Sequence, residues 1–386
     1  KNVFDIRVGV CISIFVKYQN SPSLAEGDKG GGYNLAQIHY FSTKDNEILR
    51  RADKFALLND IAHNGLDSIK WQNLKLDSPY FWFVPKDFSN AEYESFWALA
   101  GDKSFQTKAI FKNYGSGVKT DRDDLVIDTT KENLIKKCKK AFSGDFDETF
   151  KKTYKIHNSS SYAFADKLKA LQFDIDSIYF ANYRPFDKRF IYYKIGFTSR
   201  PAYETMKHFL NKENLGLCFC KFSVENENSS MFITDKMIET CVLVGNSGHS
   251  TIAPLYTYPD EFLQGDKTPN FTQEFSAFIA KHKVLKNKTP EQILAFIYAN
   301  LYNPAYRAKY IEYLKIGFPR IDFDIGESQF EKYANLGQNL IDLHLTKTIP
   351  KDKEIDLKFR EGADKSSPNF TLDKPKYEPN LNKIIL

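Results

Sequence analysis

Residues 9–16 form an apolar run with several β-branched side chains, the pattern of a strand buried on both faces. Such a strand needs neighbours on either side, so a chain that opens on one reads as cut from a larger sheet. Residues 21–32, ending in Asp28-Lys-Gly-Gly-Gly32, read as a loop, and Gln37-Ile-His-Tyr-Phe41 as a returning strand, together a hairpin at a sheet edge. Between 44 and 69, Ile48, Ala52, Phe55, Leu58 and Ile61 recur at helical spacing, with enough charge between them for an exposed face.

From residue 79 the pattern changes. Pro79-Tyr-Phe-Trp-Phe-Val-Pro85 is aromatic and bounded by prolines, which fits a short edge strand or an extended segment. Residues 109–128 read as strand, polar loop, strand. Residues 130–142 and 147–155 are helical or loop-like, with Asn158-Ser-Ser-Ser161 as a break. Residues 177–193 give two strands around Tyr183-Arg-Pro-Phe-Asp-Lys-Arg189, and 200–210 a helix with Pro201 in its first turn. Further strands are expected over 215–222 and 231–234, and an extended segment over 251–259.

The last third is helical. Thr289-Pro-Glu-Gln292 is a capping box with proline at the first helical position. Asn303-Pro-Ala-Tyr306 restarts the helix, ending near Gly317-Phe-Pro319. Another helix runs through Phe330, Tyr333, Ala334, Gly337, Leu340, Ile341 and His344. Residues 347–386 are charged and proline-containing, as in an extended or poorly ordered tail. There is no internal repeat, and the element order gives an α+β chain.

Composition narrows the function classes. The 386 residues are 42% hydrophobic and 27% charged, with a formal charge of +5, enough for about two to three domains with a sizeable core. The opening apolar run is far shorter than the roughly 20 residues a membrane span needs, so neither a membrane span nor a membrane partner is expected. Residues 1–5 lead into it without the features of a signal peptide. Five scattered cysteines argue for a reducing, cytoplasmic setting rather than a disulfide framework. Aromatic content is 15%, consistent with a rich core, a stacking surface, or both. Arginine is much scarcer than lysine, and each arginine is the more informative because its planar fork can make paired hydrogen bonds.

The candidate chemistry is that of recognition. Gly115-Ser-Gly117 is a weak phosphate-loop signal, because Lys-Thr-Asp-Arg-Asp-Asp follows instead of a helix that could pack on a cofactor. That loop mixes donors (Lys119, Thr120, Arg122) with acceptors (Asp121, Asp123, Asp124), a combination suited to reading base edges. It also suits a solvated turn with an internal salt bridge. Tyr183, Arg184, Lys188, Arg189 and Arg200 set cations among aromatics, either as a face for phosphates and bases or as charges flanking an aromatic β-core. Cys218 and Cys220 have strand spacing and share one face, with no second pair or nearby histidine to complete a zinc site. Asn303-Pro-Ala-Tyr306 looks like the Asn-Pro-Pro-Tyr loop of adenine-N6 methyltransferases, but it lies between two helical stretches and reads as a helix cap. No Ser-His-Asp, metal-binding or acid/base constellation is present in the sequence.

In order, the segments Val3-Phe-Asp-Ile-Arg-Val-Gly-Val-Cys-Ile-Ser-Ile-Phe-Val-Lys17, Phe83-Val-Pro-Lys-Asp-Phe88, Gly117-Val-Lys-Thr-Asp-Arg-Asp123, Tyr183-Arg-Pro-Phe-Asp-Lys-Arg-Phe-Ile-Tyr-Tyr193, Arg200-Pro-Ala-Tyr-Glu-Thr-Met-Lys207, Pro254-Leu-Tyr-Thr-Tyr-Pro259, residues 298–323 and Leu336-Gly-Gln-Asn-Leu-Ile-Asp-Leu-His-Leu345 resemble a known family. They are similar to the C-terminal part of single-chain restriction-modification enzymes of the type ISP and type IIG kind. The resemblance implies the final strands of a methyltransferase-like α/β sheet (1–45), a helical connector (46–78), a mixed α/β DNA target recognition domain ending in a helical segment (79–346) and a tail (347–386). It implies sequence-specific binding of double-stranded DNA through Lys119, Thr120, Arg122, Asp123, Tyr183, Arg184, Lys188, Arg189 and Arg200.

For the parent enzyme the resemblance implies methyl transfer from AdoMet to adenine N6 and Mg-dependent cleavage of unmodified DNA. Upstream methyltransferase and nuclease or helicase domains of the same polypeptide would be its partners. The AdoMet motif and the true Asn-Pro-Pro-Tyr loop are missing from this sequence, so the chain itself is expected to hold no cofactor and no metal and to lack catalysis. By position Phe4 resembles the phenylalanine that stacks on a flipped-out adenine, although a hydrophobic plug would look the same. The alternative function is a structural module that couples domains by binding protein rather than DNA; a free-standing enzyme is disfavoured by the missing constellations.

Overall fold

The computed structural model describes residues 11–16, 36–76, 81–101, 108–220, 231–243, 249–260 and 265–348, together with the backbone of a strand pair, Lys376–Glu378 and Lys383–Ile385. Its centre is an antiparallel four-stranded sheet in the order Gly115–Ser116, Thr251–Pro254, Gly216–Phe219, Met231–Thr234. Successive side chains on a strand point to opposite faces, and here both faces are covered. Leu217, Phe219, Met231, Ile233 and Ala253 enter one core. Cys218, Cys220, Phe232 and Ile252 enter the other. The two cysteines therefore share a face, as their spacing predicts, and are buried thiols.

The first core is built on helices. Pro290–Tyr302 starts at the capping box, with the Thr289 side chain accepting from the Gln292 N–H and Gln292 reaching back to Thr289. It lies against Glu327–His344 so closely that a Cβ on Gly337 would sit 1.8 Å from the Ala295 carbonyl oxygen. Asn303 caps the next helix, Pro304–Ile316, through a 2.9 Å bond from the Ala305 N–H to its side chain, which settles its role as a cap. That helix kinks at Tyr310.

The second core lies under another four-stranded sheet, in the order Met237–Ile238, Ile178–Arg184, Asp187–Tyr192, Ile127–Asp128. Its central pair is the expected hairpin, with a register shift between Asn182 and Arg184. The helix Lys131–Ser143, capped by Thr130, closes one side with Leu134, Cys138 and Ala141 buried.

Several expectations are corrected. The part of the 9–16 strand within the described residues is not in a strand. Ile12, Ile14, Phe15 and Val16 are exposed, because no described strand pairs with them. The returning segment instead pairs as Ile38–Tyr40 with Gln72–Leu74. The helix expected over 44–69 contracts to Arg51–Asn64 and buries none of its residues, and that over 200–210 contracts to Tyr203–Met206. Within 109–128 a helical turn, Asp123–Val126, intervenes before the second strand. Residues 81–85 form no strand. Phe4 lies outside the described residues.

Candidate functional site

The polar loop is fixed at its start by a close backbone approach. A Cβ at Gly117 would meet the Glu239 carbonyl carbon and oxygen and the Ile238 oxygen, each at 2.8 Å. Only glycine lets Val118 donate to the Ile238 carbonyl at 2.8 Å and accept from the Thr240 N–H at 2.9 Å. Gly115 and Ser116 are already in the central sheet, so Gly115-Ser-Gly117 is strand and crossing, not a phosphate loop. Lys119 then exchanges two 3.0 Å backbone bonds with Arg200.

Beyond Lys119 the chain turns sharply. Asp121 has φ 57°, a left-handed conformation that aspartate tolerates better than most residues. The Thr120 hydroxyl donates to Asp123 Oδ1 and accepts from the Arg122 N–H. Asp123 Oδ2 accepts from the Tyr183 hydroxyl at 3.1 Å, which ties the loop to the hairpin. Burial, and then the Asp123 charge, raise the Tyr183 phenol above its usual range, so it remains a donor.

Two guanidinium groups lie over the Tyr183 ring, Arg184 at 4.0 Å and Arg189 at 4.3 Å from its centroid. Each has a carboxylate partner. Arg184 Nη1 donates to Glu239 Oε2 at 2.6 Å. Arg189 grips Asp187 in a fork, with Nη2 at 2.7 Å and Nε at 2.9 and 3.1 Å, and Asp187 raises its pKa further. Burial pushes the Glu239 carboxyl up, against the stabilising Cys241 N–H and Arg184. Lys188 points to Asp235, which Lys236 also reaches.

Phe186, at the hairpin turn, is exposed, and its ring meets those of Phe232 at 5.3 Å and His344 at 5.7 Å. The hairpin tip is thus braced on the last residue of the helix Glu327–His344. Around Asp121, burial opposes ionisation, but Ser199, Lys119 and Arg200 outweigh it and hold the carboxyl below the usual range. The Ser199 hydroxyl donates to Asp121 Oδ2, and Lys119 Nζ lies 3.0 Å from Oδ1.

The structure therefore brings Lys119, Thr120, Arg122, Asp123, Tyr183, Arg184, Arg189 and Arg200 into one cluster, with Lys188 farther along the hairpin. Two of them do not face outward as base readers should. Thr120 is 3% exposed and Arg122 9%. Arg122 turns inward and donates to three backbone carbonyls, those of Asp121 at 2.6 Å, Lys155 at 2.7 Å and His157 at 3.0 Å. Its guanidinium lies 5.0 Å from the Phe164 ring. Arg122 braces the loop, and its placement as a reader is corrected. Asp123 is occupied by Thr120 and Tyr183.

The family model of the Type ISP C-terminal specificity domain matches residues 109–386, and these include the whole cluster. The chain belongs to this family. Solved structures similar to this Type ISP chain include the DrdV–DNA complex, determined by cryo-electron microscopy, at 22% identity and a TM-score of 0.60 over 77% of this chain and 30% of that one. The ATP-dependent Type ISP restriction-modification enzyme LlaBIII bound to DNA is 20% identical, with a TM-score of 0.61 over 80% of this chain and 20% of its own. A nuclease-deletion mutant of the Type ISP enzyme LlaGI with a DNA substrate mimic is 20% identical, with a TM-score of 0.56 over 81% and 28%. These likenesses show the shared mixed α/β fold. The Type ISP chain spans 20 to 30% of the length of these structures. No match was found among curated proteins.

Of the acids that organise the Type ISP cluster, Asp121 is among the loop acceptors expected from the sequence, whereas Asp187, Asp235 and Glu239 are not. Asp121 and Asp187 carry a local signal, each one or two residues from an arginine. Glu239 carries none, because it is pairing of its backbone with Val118 and Asn182 that brings its carboxylate to Arg184 from far along the chain. Among the described residues, no group of three or more His, Cys, Asp or Glu is placed to hold a metal ion, and no helix is long and apolar enough to cross a membrane.

Proposed function

We propose that this chain is the sequence-specific double-stranded DNA recognition part of a restriction-modification enzyme. The observation that carries the reading is the cluster itself. Cations on a sheet edge and hairpin are interleaved with carboxylates that fix them, which favours discrimination between bases over indiscriminate attraction to phosphate. Membership of the Type ISP specificity family, and the DNA in the structures of similar fold, support it. Lys119, Arg184, Lys188, Arg189 and Arg200 are the contacts offered to DNA, with Tyr183 and Asp123 positioning them.

Methyl transfer from AdoMet to adenine N6, and cleavage with Mg, would fall to other parts of the parent polypeptide. The described residues here fit neither group: Gly115-Ser-Gly117 is committed to strand pairing, and no acidic or histidine cluster is available. A protein contact is favoured for the N-terminal stretch, where Ile12, Ile14, Phe15 and Val16 are each at least 66% exposed. We assign that surface to the methyltransferase domain.

The test is selection of duplexes from a randomised library by the full chain, followed by anisotropy titrations at several salt concentrations. The expected result is an enriched motif, with affinity falling on a log-log salt plot by a slope of about 0.9 per phosphate contacted. Absence of an enriched motif refutes the reading, whatever the salt dependence, because salt-dependent binding alone is the non-specific component.

A further inference from the structure

Three of the four arginines in the cluster are spoken for: Arg122 by backbone carbonyls, Arg184 by Glu239 and Arg189 by Asp187. Arg200 is different. Its side chain is exposed and makes no side-chain hydrogen bond or ion pair within 4 Å among the described residues.

Its backbone, in contrast, is held on every side. The Arg200 N–H and carbonyl are both bonded to Lys119. The preceding Ser199 is tied to Asp121. The following Pro201 carbonyl accepts from the hydroxyl of the buried Tyr193 at 3.0 Å. Ala202 then takes φ 47° and ψ 40°, a left-handed conformation that strains an alanine. It is kept there by Thr205 and Met206, both buried, whose N–H groups donate to its carbonyl. Strain retained beside an uncommitted polar side chain is the pattern of a functional position. A fixed stem with a free fork is what paired hydrogen bonding to a base edge requires.

The neighbourhood separates base from phosphate. Asp121, held ionised, lies close enough to Arg200 to act on it electrostatically. A phosphate docked on Arg200 would meet that carboxylate, whose charge Lys119 at 3.0 Å offsets only in part, whereas guanine O6 and N7 are neutral acceptors matched to the guanidinium fork.

We propose that Arg200 is the specificity-determining arginine of this site and reads a guanine through O6 and N7 in the major groove. This rests on the DNA-recognition reading, and the experiment separates the two. The full chain, R200A and R200K are each titrated with the duplex selected by the wild-type chain and with duplexes in which one G·C pair at a time is replaced.

R200A should lose discrimination at a single G·C pair, by roughly 5- to 150-fold. Preferences at the other positions, and the thermal unfolding curve, should be unchanged. R200K, which keeps the charge but not the fork, should not restore that preference. A uniform loss on every duplex that R200K repairs assigns Arg200 to a phosphate and overturns the inference, as does no change at all. A wild-type chain that selects no motif overturns the DNA-recognition reading before any variant is compared.

Discussion

Replacing Arg122 separates a brace from a reader, because the two roles predict opposite outcomes. In Arg122→Ala the carbonyls of Asp121, Lys155 and His157 lose their donors, and the face of Phe164 loses a cation at 5.0 Å. A hydrogen bond from a charged group contributes about 1.5–3 kcal/mol to stability. The three are not additive, since all release one side chain. Leaving those acceptors without their shared donor costs about 1–3 kcal/mol, a sizeable share of the roughly 5–15 kcal/mol available to a typical domain.

Equilibrium urea unfolding followed by intrinsic fluorescence measures this loss as a lower midpoint at unchanged slope. Arg122→Lys should fall between, because one ammonium cannot serve three diverging carbonyls. At a temperature where the variant is still folded, its positional base preferences should match those of the wild type. A loss below about 1 kcal/mol together with relaxed preference at one base pair would refute the reasoning and return Arg122 to the groove.

Two further changes probe the supporting structure. Gly337→Ala gains about 1 kcal/mol of helix propensity, but its Cβ would lie 1.8 Å from the Ala295 oxygen. That neighbour is helix backbone and yields only if the two helices part, so a net loss of about 1–3 kcal/mol is expected by calorimetry, and equal or greater stability would sink the argument. The His208 ring is buried and accepts at Nδ1 from the Tyr258 N–H, so its proton sits on Nε2, where it finds no partner among the described residues. Burial, with Lys207 and Lys212 nearby, lowers its pKa from 6.5 to about 4. The unfolded chain therefore binds the proton first, and folding stability falls with pH across that window, by about 2 kcal/mol between pH 7 and 5. His208→Asn keeps an acceptor for Tyr258 and should lose correspondingly less in urea titrations at the two pH values; identical losses would count against the assignment.

What was legible in the sequence was what local chemistry decides. The Thr289 box, the Asn303 cap and the hairpin around Tyr183 depend on residues within a few positions of one another, and each formed. The failures came from tertiary competition. The helix expected from Arg200 loses its start because the Arg200 backbone is bonded across to Lys119 and Ala202 turns left-handed. Residues 11–16 are a strand in pattern only, since a ladder needs a partner and no described strand supplies one. Arg122 looked like its polar neighbours, and the carbonyls at 155 and 157 that turn it inward leave no trace near residue 122. In the site, the cations and the loop acids carry a local signal, but Asp235 and Glu239, which tie up Lys188 and Arg184, lie far away in sequence.

That division bears on how a chain of only modest positive charge can address DNA. Asp121, Asp187, Asp235 and Glu239 stand against Lys119, Arg189, Lys188 and Arg184, so much of the cluster's charge is spent internally. Paired in this way, a cation attracts phosphate less at a distance, because its field is that of a dipole. It still offers directed N–H groups at contact, where the carboxylate fixes its rotamer and lowers the entropy lost on binding. Such a surface binds non-cognate duplexes weakly and gains affinity where its acceptors and donors meet their complements. Arg200, whose side chain stands outside these ion pairs, is then the position where one base substitution should cost the most.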